Sequence, residues 1–123
     1  MVQRPAAREF RDLVVWRKAH ELVLAIYELT RRFPKHETFC MVSQMRRAAI
    51  SVPANIAEGF RRRGKAEKAR FMNIAEASLE ETRYYLLLSR DLGYGETGEQ
   101  MRAAEEVSRL VRAYASAILT SNS

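Results

Sequence analysis

The chain has 123 residues, of which 47 % are hydrophobic, with only five glycines and three prolines. That composition excludes a disordered or fibrous chain and suits one domain large enough to bury a core. Lys and Arg exceed Asp and Glu by 21 to 15, a net charge of +6, which attracts polyanions such as nucleic acid but equally suits a basic protein with no such partner. No apolar run reaches the length of a membrane span, and the first residues lack the apolar stretch of a secretory signal. Cys40 is the single cysteine, so no internal disulfide forms and a reducing, cytoplasmic setting is expected.

Four helices are predicted, at about residues 12–32, 38–61, 65–92 and 97–119. In the first, Trp16, Ala19, Val23, Ile26, Thr30 and Phe33 recur every three or four positions, and "RFPKHE" ends it, because a residue before proline avoids helical geometry. The second carries Pro53 within "AISVPANIAEG". A proline inside a helix costs ~3 kcal/mol, so this segment reads as two abutting helices, with Ser51 capping the half that Pro53 starts, or as one kinked helix. Gly59 and Gly64 are candidates to end it.

Residues 61–70, "RRRGKAEKAR", follow. Arg61, Arg62, Arg63, Lys65, Lys68 and Arg70 surround one acid, Glu67. Positive charge at a helix start opposes the macrodipole, so phosphate contact gives the run a purpose; the plainer reading is a solvated edge. Arg46 and Arg47 are open between extending that patch and clamping the fold, with Arg47 the favoured clamp onto Glu58 or Asn55. The third helix stops at "GYG", and "TGEQ" has the capping-box spacing that starts the fourth. Its apolar face holds Met101, Ala104, Ser108, Val111, Ala115 and Ile118, and "TSNS" reads as a loose tail.

Second apolar rows lie on helix one (Val15, Leu22, Leu29) and on helix three (Ile74, Ala77, Tyr84, Leu88). A small bundle normally shows one apolar arc per helix, so the extra width points to self-association, unless it is only a generous core.

Three strings, "DLVVWRKAHELVLAIYELTRRFP", "SQMRRAAISVPANIAEGF" and "ARFMNIAEASLEE" followed by "LGY", resemble the four-helix-bundle proteins encoded by intervening sequences in bacterial 23S ribosomal RNA genes. The resemblance runs from about Phe10 to Tyr94. It carries over onto Trp16, Ser43, Gln44, Arg46, Arg47, Ser51, Pro53, Asn55, Glu58, Gly59, Arg70 and Phe71. Cys40 and Ala77 depart from it, each standing where that family usually has glycine. The family is similar to accessory proteins of diversity-generating retroelements, which form pentameric barrels and bind nucleic acid beside a reverse transcriptase. The resemblance therefore implies a homo-oligomer, a pentamer above all, with a basic surface, and it does not imply an enzyme.

Catalytic and metal chemistry find little in the residues. His36 and Cys40 have i, i+4 spacing, but two ligands do not make a zinc site, and no Glu-x-x-His accompanies the carboxylates of helix three. No phosphate-binding glycine loop or nucleophile motif is present. Trp16, Tyr27, Tyr84, Tyr85 and Tyr114 fall at core spacing, leaving Phe60 and Phe71 as the aromatics able to touch a base. The expectation is an all-α, antiparallel up-and-down four-helix bundle with a proline-kinked second helix, or failing that an irregular all-α domain. Its expected function is non-enzymatic binding of RNA or DNA through Arg46, Arg47, Arg61, Arg62, Arg63, Lys65, Lys68 and Arg70, with no cofactor or metal and with a reverse transcriptase or other nucleoprotein partner. The alternative is an oligomeric scaffold that touches no nucleic acid.

Overall fold

The computed structural model describes residues 6–121; the expected tail at 120–123 lies partly beyond that range, Thr120 being the last helical residue and Ser121 its cap. Four α-helices carry the fold: α1 (Val14–Thr30), α2 (Ser43–Arg61), α3 (Lys65–Asp91) and α4 (Gly98–Thr120). A 3-10 turn, Phe10–Asp12, precedes α1. Another, Lys35–Glu37, leads into a π-helical turn, Thr38–Val42, that runs straight into α2. No strand occurs among the described residues.

Each helix packs against two neighbours, and the chain closes the ring by packing α1 against α4. Across the α2–α3 and α3–α4 seams partners are met in reverse order. Arg47 pairs with Glu81, Ser78 bonds Ser51, and Gly59 lies against Met72 further along. Arg83 faces Glu105, while Lys65, near the start of α3, reaches Ser121 at the end of α4. Leu22, Ile26, Met45, Val52, Ile56, Met72, Leu79, Leu86, Val107 and Val111 fill the centre with almost no exposure. Helical spacing dictates this: each is separated from the next apolar residue on its own helix by about one turn or a multiple of it.

Both apolar rows of α1 enter that core. Val15, Leu22 and Leu29 are 5 %, 1 % and 7 % exposed, so this width is a generous core and not a surface waiting for another chain. On α3 the outcome differs, because Tyr84 remains 58 % exposed and Leu87 40 %.

Three local expectations change. First, α2 runs as a single helix through the buried Pro53, as one of its two readings had it, and the cap that went with the other reading is lost. Ser51 does not cap; its hydroxyl accepts from Asn55 Nδ2 at 2.9 Å and from Ser78 Oγ at 2.9 Å, tying α2 to α3 beside the proline. Asn55 Nδ2 also donates to the Ser51 carbonyl at 2.7 Å. Second, Gly59 does not end the helix. It is buried where α2 crosses α3, and a Cβ there would sit 2.7 Å from Met72 Cε and 2.8 Å from Phe71 Cβ. Gly64, with φ +82°, makes the turn into α3 that a side chain would resist. Third, Thr97 and Gln100 form no capping box. The Thr97 hydroxyl turns back to donate to the Leu86 carbonyl at 3.1 Å, and Gln100 Oε1 is buried without a partner.

Candidate nucleic-acid interface

The α2–α3 corner is where the chain leaves α2 at Arg61, turns at Gly64 and enters α3 at Lys65. Arg61, Arg62 and Arg63 are all exposed there, and none makes an ion pair among the described residues. The Arg62 guanidinium lies 4.9 Å from the centre of the Phe71 ring, and Arg70 lies over the same ring at 4.7 Å. That ring is buried, so Phe71 is a base for two arginines and not a surface on which a nucleobase could stack.

The other three cations of the run are engaged within the fold. Lys68 Nζ donates to the Phe60 carbonyl at 2.7 Å and to the Gly59 carbonyl at 3.5 Å, and sits 5.5 Å from the Phe60 ring centre. Both carbonyls lie in the last turn of α2, where that of Gly59 also accepts the Arg62 amide at 3.2 Å, and the ammonium group adds a donor there and offsets the negative end of the helix dipole. Without it that negative end would oppose phosphate beside Arg61. Lys65 Nζ donates to the Ser121 carbonyl, joining the start of α3 to the end of α4. Arg70 forms a two-point ion pair with Glu67, Nε to Oε1 at 2.9 Å. This hydrogen bond holds the Glu67 carboxyl below its ordinary range and raises the Arg70 guanidinium.

Arg46 and Arg47 lie away from the corner. Arg46 is the clamp: its Nε donates to the Thr30 hydroxyl at 3.0 Å, and its guanidinium lies 4.3 Å from the Tyr27 ring centre, binding α2 to α1. Arg47 bonds Gln44 at 3.1 Å and pairs with Glu81 on α3, whose carboxylate also accepts from the Tyr85 hydroxyl at 2.9 Å. Neither Glu58 nor Asn55 is its partner. Eleven residues of helix rise about 16 Å, so two residues on one face at that spacing are beyond side-chain reach. Neither arginine extends the free cationic edge.

Sequence reasoning passed over the segment before α1. The Asp12 carboxylate accepts from the Arg8 and Glu9 amides at 3.0 and 3.2 Å, fixing the turn that presents Arg8 and Phe10. Across from it stand Ala57, Glu58, Arg61 and Arg62, enclosing a groove of about 520 Å³. The Asp-centred turn was the available signal, but only the packing shows that it lands beside the end of α2. Among the described residues no three His, Cys, Asp or Glu side chains converge as a metal site, and no helix is long and apolar enough to cross a membrane.

Comparison with known proteins agrees with this architecture. The family model for the 23S rRNA-intervening sequence protein matches residues 11–116, and the chain belongs to that family. A crystal structure at 1.70 Å of a protein of unknown function from the S23 ribosomal protein family of Bacteroides thetaiotaomicron VPI-5482 superimposes with a TM-score of 0.76. It is 25 % identical, over 84 % of this chain and 96 % of that one. No curated protein matches the chain significantly.

Proposed function

We propose that this protein is a non-enzymatic, oligomeric helical bundle that binds RNA or DNA through the phosphate backbone at the α2–α3 corner, as an accessory to a nucleoprotein complex. The observation that carries the reading is the row of three exposed arginines, Arg61 to Arg63, without an ion pair among the described residues. Planar guanidinium forks suit phosphate oxygens, and an oligomer would repeat the row. The family name, which refers to a ribosomal RNA insertion, and the net charge of +6 point the same way. The resemblance to retroelement accessory proteins makes a pentamer the assembly of choice and a reverse transcriptase a suitable partner. For self-association the supporting surface is now the exposed Tyr84 and Leu87 on α3, since the second row of α1 is core. Those same residues favour a second reading, an oligomeric scaffold that binds only protein.

The test is charge reversal at Arg61, Arg62 and Arg63 together, read by nucleic-acid affinity against salt. Losing three phosphate contacts should reduce the slope of log affinity against log salt by about 2.7. Wild-type affinity should then fall about 40-fold further than the variant's between 50 and 200 mM salt. Helix content should stay constant, and so should the mass by light scattering, expected to be several times that of one chain. A wild type that binds neither RNA nor DNA at low salt transfers the conclusion to the scaffold.

A further inference from the structure

We infer that the groove between the turn before α1 and the end of α2 takes an unpaired nucleotide, so that the site reads single strands in preference to duplex; the inference rests on phosphate binding at the corner. The groove is not uniformly basic. Arg8, Arg61 and Arg62 line it beside Glu9, whose carboxylate is taken up by Arg11, Phe10 supplies an aromatic wall, and Glu58 stands one helical turn from Arg61. An anion together with a flat ring that carries N–H groups matches this set: phosphate to the arginines, base face to Phe10, base N–H to the Glu58 carboxylate. A volume of about 520 Å³ accommodates one nucleotide turned out of a strand, whereas a base inside a duplex has no exposed face to offer.

Phe10 is also held in place for stacking. It meets Trp16 edge to face, with ring centres 5.0 Å apart and planes at 62°. Trp16 in turn stacks on His20 at 5.0 Å with planes 8° apart. This run of rings fixes the Phe10 wall, and it couples the groove to the chain's single tryptophan, Trp16. Of the two aromatics expected beside the basic run, Phe71 is buried, and Phe60 lies in a different hollow with Arg63 and Lys68.

The experiment uses the full chain, a short single-stranded oligoadenylate, and a duplex of equal length and mixed sequence, at low salt. The single strand should change Trp16 emission on binding, and the duplex should bind without that change. Phe10→Leu, which keeps apolar bulk against Trp16, should weaken single-strand binding about 5-fold or more and leave duplex affinity and both salt slopes unaltered. Equal loss for both nucleic acids, or binding of the single strand with unchanged emission in the wild type, overturns the groove while leaving backbone binding at the corner intact. If neither nucleic acid binds, backbone binding itself has failed.

Discussion

Arg61, Arg62 and Arg63 carry the same formal charge as Lys65, Lys68 and Arg70, within one stretch of ten residues, yet the two triplets have opposite employment. The first three are exposed at the end of α2 and form no ion pair among the described residues. The second three hold the carbonyl of Ser121, the carbonyls at the end of α2 and the carboxylate of Glu67. The boundary between them is Gly64, where the helix that presents the first triplet has ended and the helix that packs the second has begun. A run of like charge is therefore two things: a surface, and the fastening beneath it. A count of basic residues cannot separate them, and net charge says little about how many are available to a ligand.

The most damaging way to break this comparison is to remove the crossing that places both triplets. Gly59→Val puts branched carbon where Met72 Cε and Phe71 Cβ already stand 2.7 and 2.8 Å from an ideal Cβ. Met72 can swing its end away, but Phe71 Cβ is fixed to the α3 backbone. Overpacking of this kind costs about 1–3 kcal/mol, and thermal unfolding should show a lower midpoint. Because Phe71 carries both Arg62 and Arg70, binding should fall along with stability. Unchanged stability would mean that α2 and α3 can separate at this level without loss.

A sharper cut sets one residue from each triplet side by side. Lys68→Met keeps the long apolar stem and removes the ammonium that caps α2, so denaturation should register a loss of about 1 kcal/mol. Arg63→Met removes a charge with no ion pair among the described residues and should shift stability by less than about 0.5 kcal/mol. Their effects on nucleic-acid binding should reverse: Arg63→Met lowers the salt slope by nearly one, while Lys68→Met changes it less. Equal slopes for the two variants would erase the distinction between surface and fastening.

The helices were legible from periodicity and punctuation alone, and the predicted spans fall within a few residues of the observed ones except at the start of α2, where a π-helical turn occupies Thr38–Val42. Apolar spacing fixes which face of a helix is buried, and Pro34, Gly64 and Gly93 mark where helices stop. What spacing does not fix is the level at which two helices meet. For that reason Arg46 meeting Thr30, Arg47 meeting Glu81 and Lys68 reaching back to Phe60 were beyond the sequence. Arg61 to Arg63, read only as part of one basic edge with Lys65, Lys68 and Arg70, are exposed, while Arg8 and Phe10 were missed as their neighbours. The contact that joins those two groups spans nearly the whole of α1 and α2.

The smallest effect tests whether a residue can be moved from one triplet's condition to the other's. Glu67→Gln deletes the carboxylate that occupies Arg70, an exposed pair whose removal should leave the unfolding midpoint almost unchanged. Arg70 would then stand beside Arg62 with its fork unoccupied, and the salt slope should rise by up to about 0.9. Acid should mimic the substitution. The Glu67 carboxyl is held below its ordinary range, chiefly by the Arg70 hydrogen bond. Its contribution to folding is therefore present above the carboxyl's unfolded value and is lost as pH falls through the lower folded one. Across that window wild-type protein should approach the Glu67→Gln variant in stability, while at neutral pH the two differ in binding. A variant whose salt slope matches wild type at neutral pH would show that Arg70, even unpaired, is kept from the phosphate path by its seat on Phe71.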